Sequence, residues 1–277
     1  MMRYLKLVNF EFNRIAKVYV VLLGIVLTSQ MIAVITASRN YLKDANESLN
    51  VEMMSQADFL STYGHMTFHN VVRSLWFGGP IALCIAAVAF YIFFIWYRDW
   101  FGKNTFAYRL LTLPTSRLNV LYAKLTTILM MTFGFIAFQF IIYQVEARVM
   151  QWMVPKDFRM DMSFHEVVRS MLDLGILFPE EPLAFLFTYG AGVVVVVTLF
   201  TGILFERSFR WKGIIGAVAY GFIAGLVFFL PLILHETVMQ QFFYPTELVL
   251  LTVLAGVIVL AGSLAMSGYL LNKKIRI

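Results

Sequence analysis

Six uninterrupted apolar runs constrain this chain more than any other feature: Val18–Ala37, Pro80–Tyr97, Leu125–Val145, Leu183–Phe205, Gly213–Leu234 and Leu248–Leu271. Each has about the 20 residues a helix needs to cross a bilayer core. Backbone N–H and C=O groups cannot stay unpaired in hydrocarbon, so runs of this kind must be helical. Composition agrees: 60% of residues are hydrophobic and 14% charged, with a mean hydropathy of +0.78, far from soluble usage. The expected fold is an all-α integral membrane protein with six transmembrane helices and both termini on one side.

The charges sort by side. Segments 1–17, 98–124, 206–212 and 273–277 carry 15 of the 22 Lys/Arg and 3 of the 16 acids. The positive-inside rule makes that side cytoplasmic. Residues 1–17 place Leu5, Val8, Phe12 and Ile15 on one helical face and Arg3, Lys6, Asn9, Asn13 and Lys17 on another, which predicts an interfacial helix. Their charge, and the full-length run that follows without a cleavage site, argue against a removable leader. No apolar run carries an ionisable residue in its middle, which disfavours an ion-coupled transporter and an intramembrane protease alike. The single cysteine, Cys84, excludes an intrachain disulfide. The net charge of +6 does not call for nucleic acid, because it follows membrane side.

The outer segments, 38–79 and 146–182, are rich in Met, Phe, Val and Leu and contain a repeat. Met66–Leu75 and Met162–Met171 agree at seven of ten positions. In the second copy Ser163 and Glu166 have capping-box spacing, and Phe164, Val167, Val168 and Met171 fall on one helical face. These features predict a helical extracellular cap, with Phe68, Val72, Phe164 and Val168 packed as a lid and Arg73 and Arg169 on its rim. The second span is expected to extend above the membrane and bend at Pro80. His65, His69 and His165 could be imagined around zinc, but their spacing gives a metal site little support.

Between the second and third runs, residues 98–124 carry five Lys/Arg and one acid. Phe106, Leu110 and Leu113 recur at helical spacing ahead of Pro114, which breaks the helix, so a short amphipathic element along the membrane surface is expected. No phosphate-binding Gly-x-x-x-x-Gly-Lys-Ser/Thr motif occurs in the chain, so any ATP must be bound by another protein.

The sequence Leu110-Leu-Thr-Leu-Pro-Thr-Ser-Arg117, followed by Lys124 at the mouth of the third run, resembles the Leu-Pro-x-Ser-Arg…Lys signature of ABC-2-type permeases, the membrane halves of ABC exporters. The resemblance implies a coupling helix ahead of the proline, near Asp99–Leu111, that docks on a separate ATPase subunit. Asp99, Trp100, Phe101, Thr105, Phe106, Arg109, Leu110, Pro114 and Arg117 would serve that contact. Where the family often has a Gly-Thr pair, this chain has Asn104-Thr105 and a displaced Gly102.

The resemblance also implies a single permease domain over 1–277, two ATPase copies, and ATP and magnesium on the ATPase rather than on this chain. A second permease subunit, identical or different, would pair with this one. Ala217, Gly221 and Gly225 form a small-residue stripe suited to close helix approach. The expected location is a bacterial plasma membrane. Apolar spans with scattered Gln30, Gln139 and Gln144 suit export of amphipathic or hydrophobic cargo, such as peptides. The competing class is a membrane sensor or immunity subunit whose outer helices bind a ligand.

Overall fold

The computed structural model of the chain describes residues 2–100, 110, 116–169, 172–238 and 243–275. It contains ten α-helices among the described residues: α1 (Met2–Asn50), α2 (Gln56–Tyr63), α3 (Phe68–Val72), α4 (Leu75–Trp100), α5 (Leu118–Met153), α6 (Phe164–Arg169), α7 (Leu172–Leu177), α8 (Pro182–Phe209), α9 (Trp211–Ile233) and α10 (Pro245–Tyr269). Six of them are long and apolar enough to cross a membrane: α1, α4, α5, α8, α9 and α10. No strand occurs among the described residues, only a lone parallel bridge between Met66 and Arg159.

Two boundaries differ from expectation. Residues 1–17 were expected to form a separate interfacial helix, but α1 runs unbroken for 49 residues. Its length of about 73 Å is more than twice a bilayer core. The cause is visible in the sequence: residues 2–50 contain no proline and only one glycine, Gly24, so nothing stops the helix. α5 likewise continues beyond Val145 and ends at Met153, just ahead of Pro155. Both outer segments therefore begin as extensions of membrane helices.

The chain divides into two compact units. The first comprises Met1–Arg14, Val88–Met130 and Pro179–Ile277, and the second Ile15–Ala87 and Met131–Phe178.

In the first unit, α8, α9 and α10 pack on one another. α8 and α9 are joined through Arg210 alone, at φ +54°, whose N–H donates to Glu206 O at 2.8 Å. Gly213 is required at this turn, because a Cβ there would sit 2.1 Å from Phe205 O. Hydroxyls tie the three helices together: Tyr220 Oη lies 2.7 Å from Ser263 Oγ, and Thr201 Oγ1 lies 2.9 Å from Ser267 Oγ. Such bonds hold helices that have no hydrophobic drive to associate in lipid.

In the second unit, Pro80 lies inside α4 and cannot donate to the carbonyl of Trp76. Ser29 Oγ takes over that acceptor at 2.7 Å. The outer segments then close around one core. Met66 N–H donates to Phe158 O at 2.8 Å and Met160 N–H to Met66 O at 2.9 Å.

The two copies of the repeat converge in this core. Phe68 and Phe164, equivalent positions, both meet the ring of Tyr143, at 4.8 and 5.0 Å between centroids. Val71, Val72 and Val167 are buried in the same cluster, Val168 is buried, and Arg73 and Arg169 are exposed. A tyrosine from each long helix fixes the approach to each copy: Tyr41 Oη donates to Gly64 O at 2.8 Å, and Tyr143 Oη to Met162 O at 2.7 Å. The capping box at α6 forms as its spacing predicts, with Ser163 N–H 2.6 Å from Glu166 Oε2 and Glu166 N–H 3.3 Å from Ser163 Oγ. The first copy has Asn70 where Glu166 stands, so α3 begins at Thr67 without a side-chain cap.

Candidate functional site

The strongest concentration of buried chemistry lies in the first unit, where the two ends of the 98–124 segment meet the start of the chain. α1 supplies Glu11 and Arg14, the end of α4 supplies Arg98 and Asp99, and α5 supplies Lys124. Glu11, Asp99 and Lys124 are each 1% exposed.

Lys124 has three N–H groups, and all three find acceptors: Glu11 Oε1 at 2.9 Å, Ile95 O at 2.8 Å and Asp99 Oδ2. The remaining carboxylate oxygens are also taken. Arg98 donates to Glu11 Oε2 at 2.8 Å, and Arg14 to Asp99 Oδ1 at 2.7 Å. The indole of Trp96 lies 5.2 Å from the Lys124 ammonium, and Arg98 sits over Tyr91 and Phe94 at 5.8 Å. Three cations and two anions share the cluster, leaving one net positive charge. All four carboxylate oxygens are paired, as hiding their charge from water requires, while Arg98 Nε is buried without a partner among the described residues.

The result is a charged clasp. Both stems of the basic segment are bound to α1, so displacement of one stem must move the others or break charge-assisted bonds. A second set of contacts lies along the same stems. Tyr97 Oη donates to Glu206 Oε2, Arg207 covers the Tyr97 ring at 4.8 Å, and Arg117 donates to the carbonyls of Leu271 and Ile275. The four segments assigned to the cytoplasmic side thus touch one another within this unit.

The expected coupling residues separate into three groups. Asp99 was expected to face an ATPase, but it is buried in the clasp, because it is the nearest anion that can neutralise Lys124 and Arg14. Leu110 packs against Leu7, Val8, Val120 and Ala123, and Arg117 is committed to the C-terminal carbonyls. Trp100 is partly buried, with Arg207 over its ring at 5.8 Å. Phe101, Thr105, Phe106, Arg109 and Pro114 lie outside the described residues.

Glu11 is the residue that sequence reasoning missed. Its signal was present: it is the only acid in residues 1–17 and lies on the face formed by Leu7, Val8 and Ile15, which are the buried residues there. The face expected from Leu5 and Phe12 was misplaced, since Leu5 is 56% exposed.

The small-residue stripe also divides. The Ala217 side chain would contact a Cβ added at Gly202, whereas Gly221 and Gly225 face open space. Gln30 and Gln139 are buried against each other, with Gln30 Nε2 donating to Gln139 Oε1 at 3.1 Å. No three His, Cys, Asp or Glu side chains among the described residues gather to hold a metal ion. Comparison with protein-family models, with curated proteins and with solved structures finds no match to this chain.

Proposed function

We propose that this chain is the membrane permease subunit of an ATP-driven ABC exporter, working beside a separate ATPase that binds ATP and magnesium. The observation that carries this reading is the clasp: a basic segment between two membrane helices, with both stems locked to α1, is built to receive a push and pass it on. The resemblance of Leu110–Arg117 and Lys124 to the ABC-2 signature supports the same reading, as does the lack of a phosphate-binding loop.

Closure of two ATPase copies would press on residues 101–113 and tilt α4 and α5, with α1 following through Glu11. The exposed apolar faces of the membrane helices suit amphipathic or hydrophobic cargo, peptides among them. Gly221 and Gly225, open in this chain, suit close approach of a second permease subunit, identical or different. The converging repeat helices would form the outer lid in a bacterial plasma membrane.

A membrane sensor or immunity subunit is the second reading, favoured by the well-packed outer core around Tyr143. The two are separated by seeking an ABC ATPase gene beside the gene for this chain and reconstituting the two proteins together. The exporter reading predicts ATP hydrolysis by the complex and none by the isolated chain. Hydrolysis by the isolated chain, or failure of the two proteins to associate, would overturn it.

A further inference from the structure

Glu146 was expected at the start of an outer segment; it lies instead inside α5, fully buried, and neither of its carboxylate oxygens has a hydrogen-bond partner. An ionisable residue hidden in a membrane protein without a partner is a functional group until shown otherwise. Its neighbours on the facing helix can be placed by register. Gln30 bonds Gln139, Leu22 and Val26 share a cluster with Phe135 and Ile142, and Ala33 and Val34 share one with Tyr143 and Met150. α1 and α5 therefore run in the same direction here, which brings Ser38 to the level of Glu146, two turns beyond the glutamine pair.

Ser38 is also fully buried, and its hydroxyl too has no partner. The two tyrosines that could serve Glu146 are engaged elsewhere, Tyr41 on Gly64 O and Tyr143 on Met162 O. No cation among the described residues is paired with Glu146. Arg159 donates to Gln151 O, Val154 O and Asp161, while Arg39, Lys43 and Arg148 are exposed on the helices themselves. Of the remaining titratable groups on the packed elements, His69 is half-buried, and Asp44, Glu47, His165 and Glu166 are exposed.

We infer that Glu146 is an internal proton-binding site of the second unit, a buried acid to which neither the Ser38 hydroxyl nor any other described side chain is hydrogen-bonded. A buried carboxylate with no countercharge is neutral only when it carries a proton. This inference does not depend on the exporter reading.

The test is infrared difference spectroscopy of the full chain in lipid nanodiscs across a pH series. A carboxylic-acid carbonyl band should persist at neutral pH, disappear in Glu146→Gln and remain in Glu166→Gln. The wild-type band should lie at the high frequency of an acid carbonyl that accepts no hydrogen bond; this arm stands even where Glu146→Gln folds poorly. Absence of any neutral-pH acid band in the wild type, or a band at the low frequency of a hydrogen-bonded acid, would overturn the site.

Discussion

Glu11 and Asp99 in the first unit and Glu146 in the second are hidden from solvent to the same degree, yet their surroundings are opposite. Glu11 meets three cations and Asp99 two, while Glu146 meets none among the described residues. The same residue type is thus a brace in one unit and a chemically open group in the other. Burial alone does not decide which; the supply of donors does. In the first unit five charges arrive from three helices. In the second, the nearby hydroxyls of Tyr41 and Tyr143 are spent on backbone carbonyls.

The sharpest way to break this comparison is to neutralise one residue in each unit. Lys124→Met leaves Glu11 and Asp99 buried with less compensation and should cost about 3–5 kcal/mol. Glu146→Gln replaces a neutral, unpartnered acid by a neutral amide of the same shape and should leave thermal unfolding unchanged or raise its midpoint. Equal losses in both variants, measured on the purified chain in nanodiscs, would remove the distinction.

A smaller effect tests the backbone of the second unit. Ser29→Ala frees the Trp76 carbonyl that Pro80 cannot serve, at a cost of about 1 kcal/mol. Pro80→Ala restores a backbone donor, so the double variant should recover most of that loss. A double variant no more stable than Ser29→Ala would show that the hydroxyl does not replace the missing N–H.

The smallest effect is at the outer surface. The Ser163 backbone N–H and then its hydroxyl hold Glu166 below the ordinary carboxylate value of 4.5. Because the folded value is depressed, the capping contribution is present above the unfolded value and fades as pH falls through the folded one. The protection factor of the amides at the start of α6, exchange measured relative to the unfolded chain at the same pH, should therefore fall in acid, and this fall should vanish in Glu166→Gln.

Much of the architecture was legible because it follows from periodicity and length. The six spans, the capping box and the burial of the repeat's Phe and Val positions were all readable in that way. What escaped depended on partners distant in sequence. Glu11 has no partner near it in sequence that would mark it as buried; the ammonium it serves, Lys124, comes 113 residues later. Glu146 looked like the first residue of a loop because the apolar run ended at Val145. Helix α5 continued because no breaker occurs before Pro155. Asp99 was assigned to a contact surface on the strength of its loop, and the clasp claimed it instead.

The claim that the clasped segment receives its push from an ATPase is tested most directly by cysteine crosslinking from within that segment. With Thr105→Cys in the native membrane complex, the account predicts crosslinks to the ATPase subunit whose yield changes with ATP. A cysteine at Thr105 that reacts freely with water-soluble maleimide in every nucleotide state, and captures no ATPase, would contradict it.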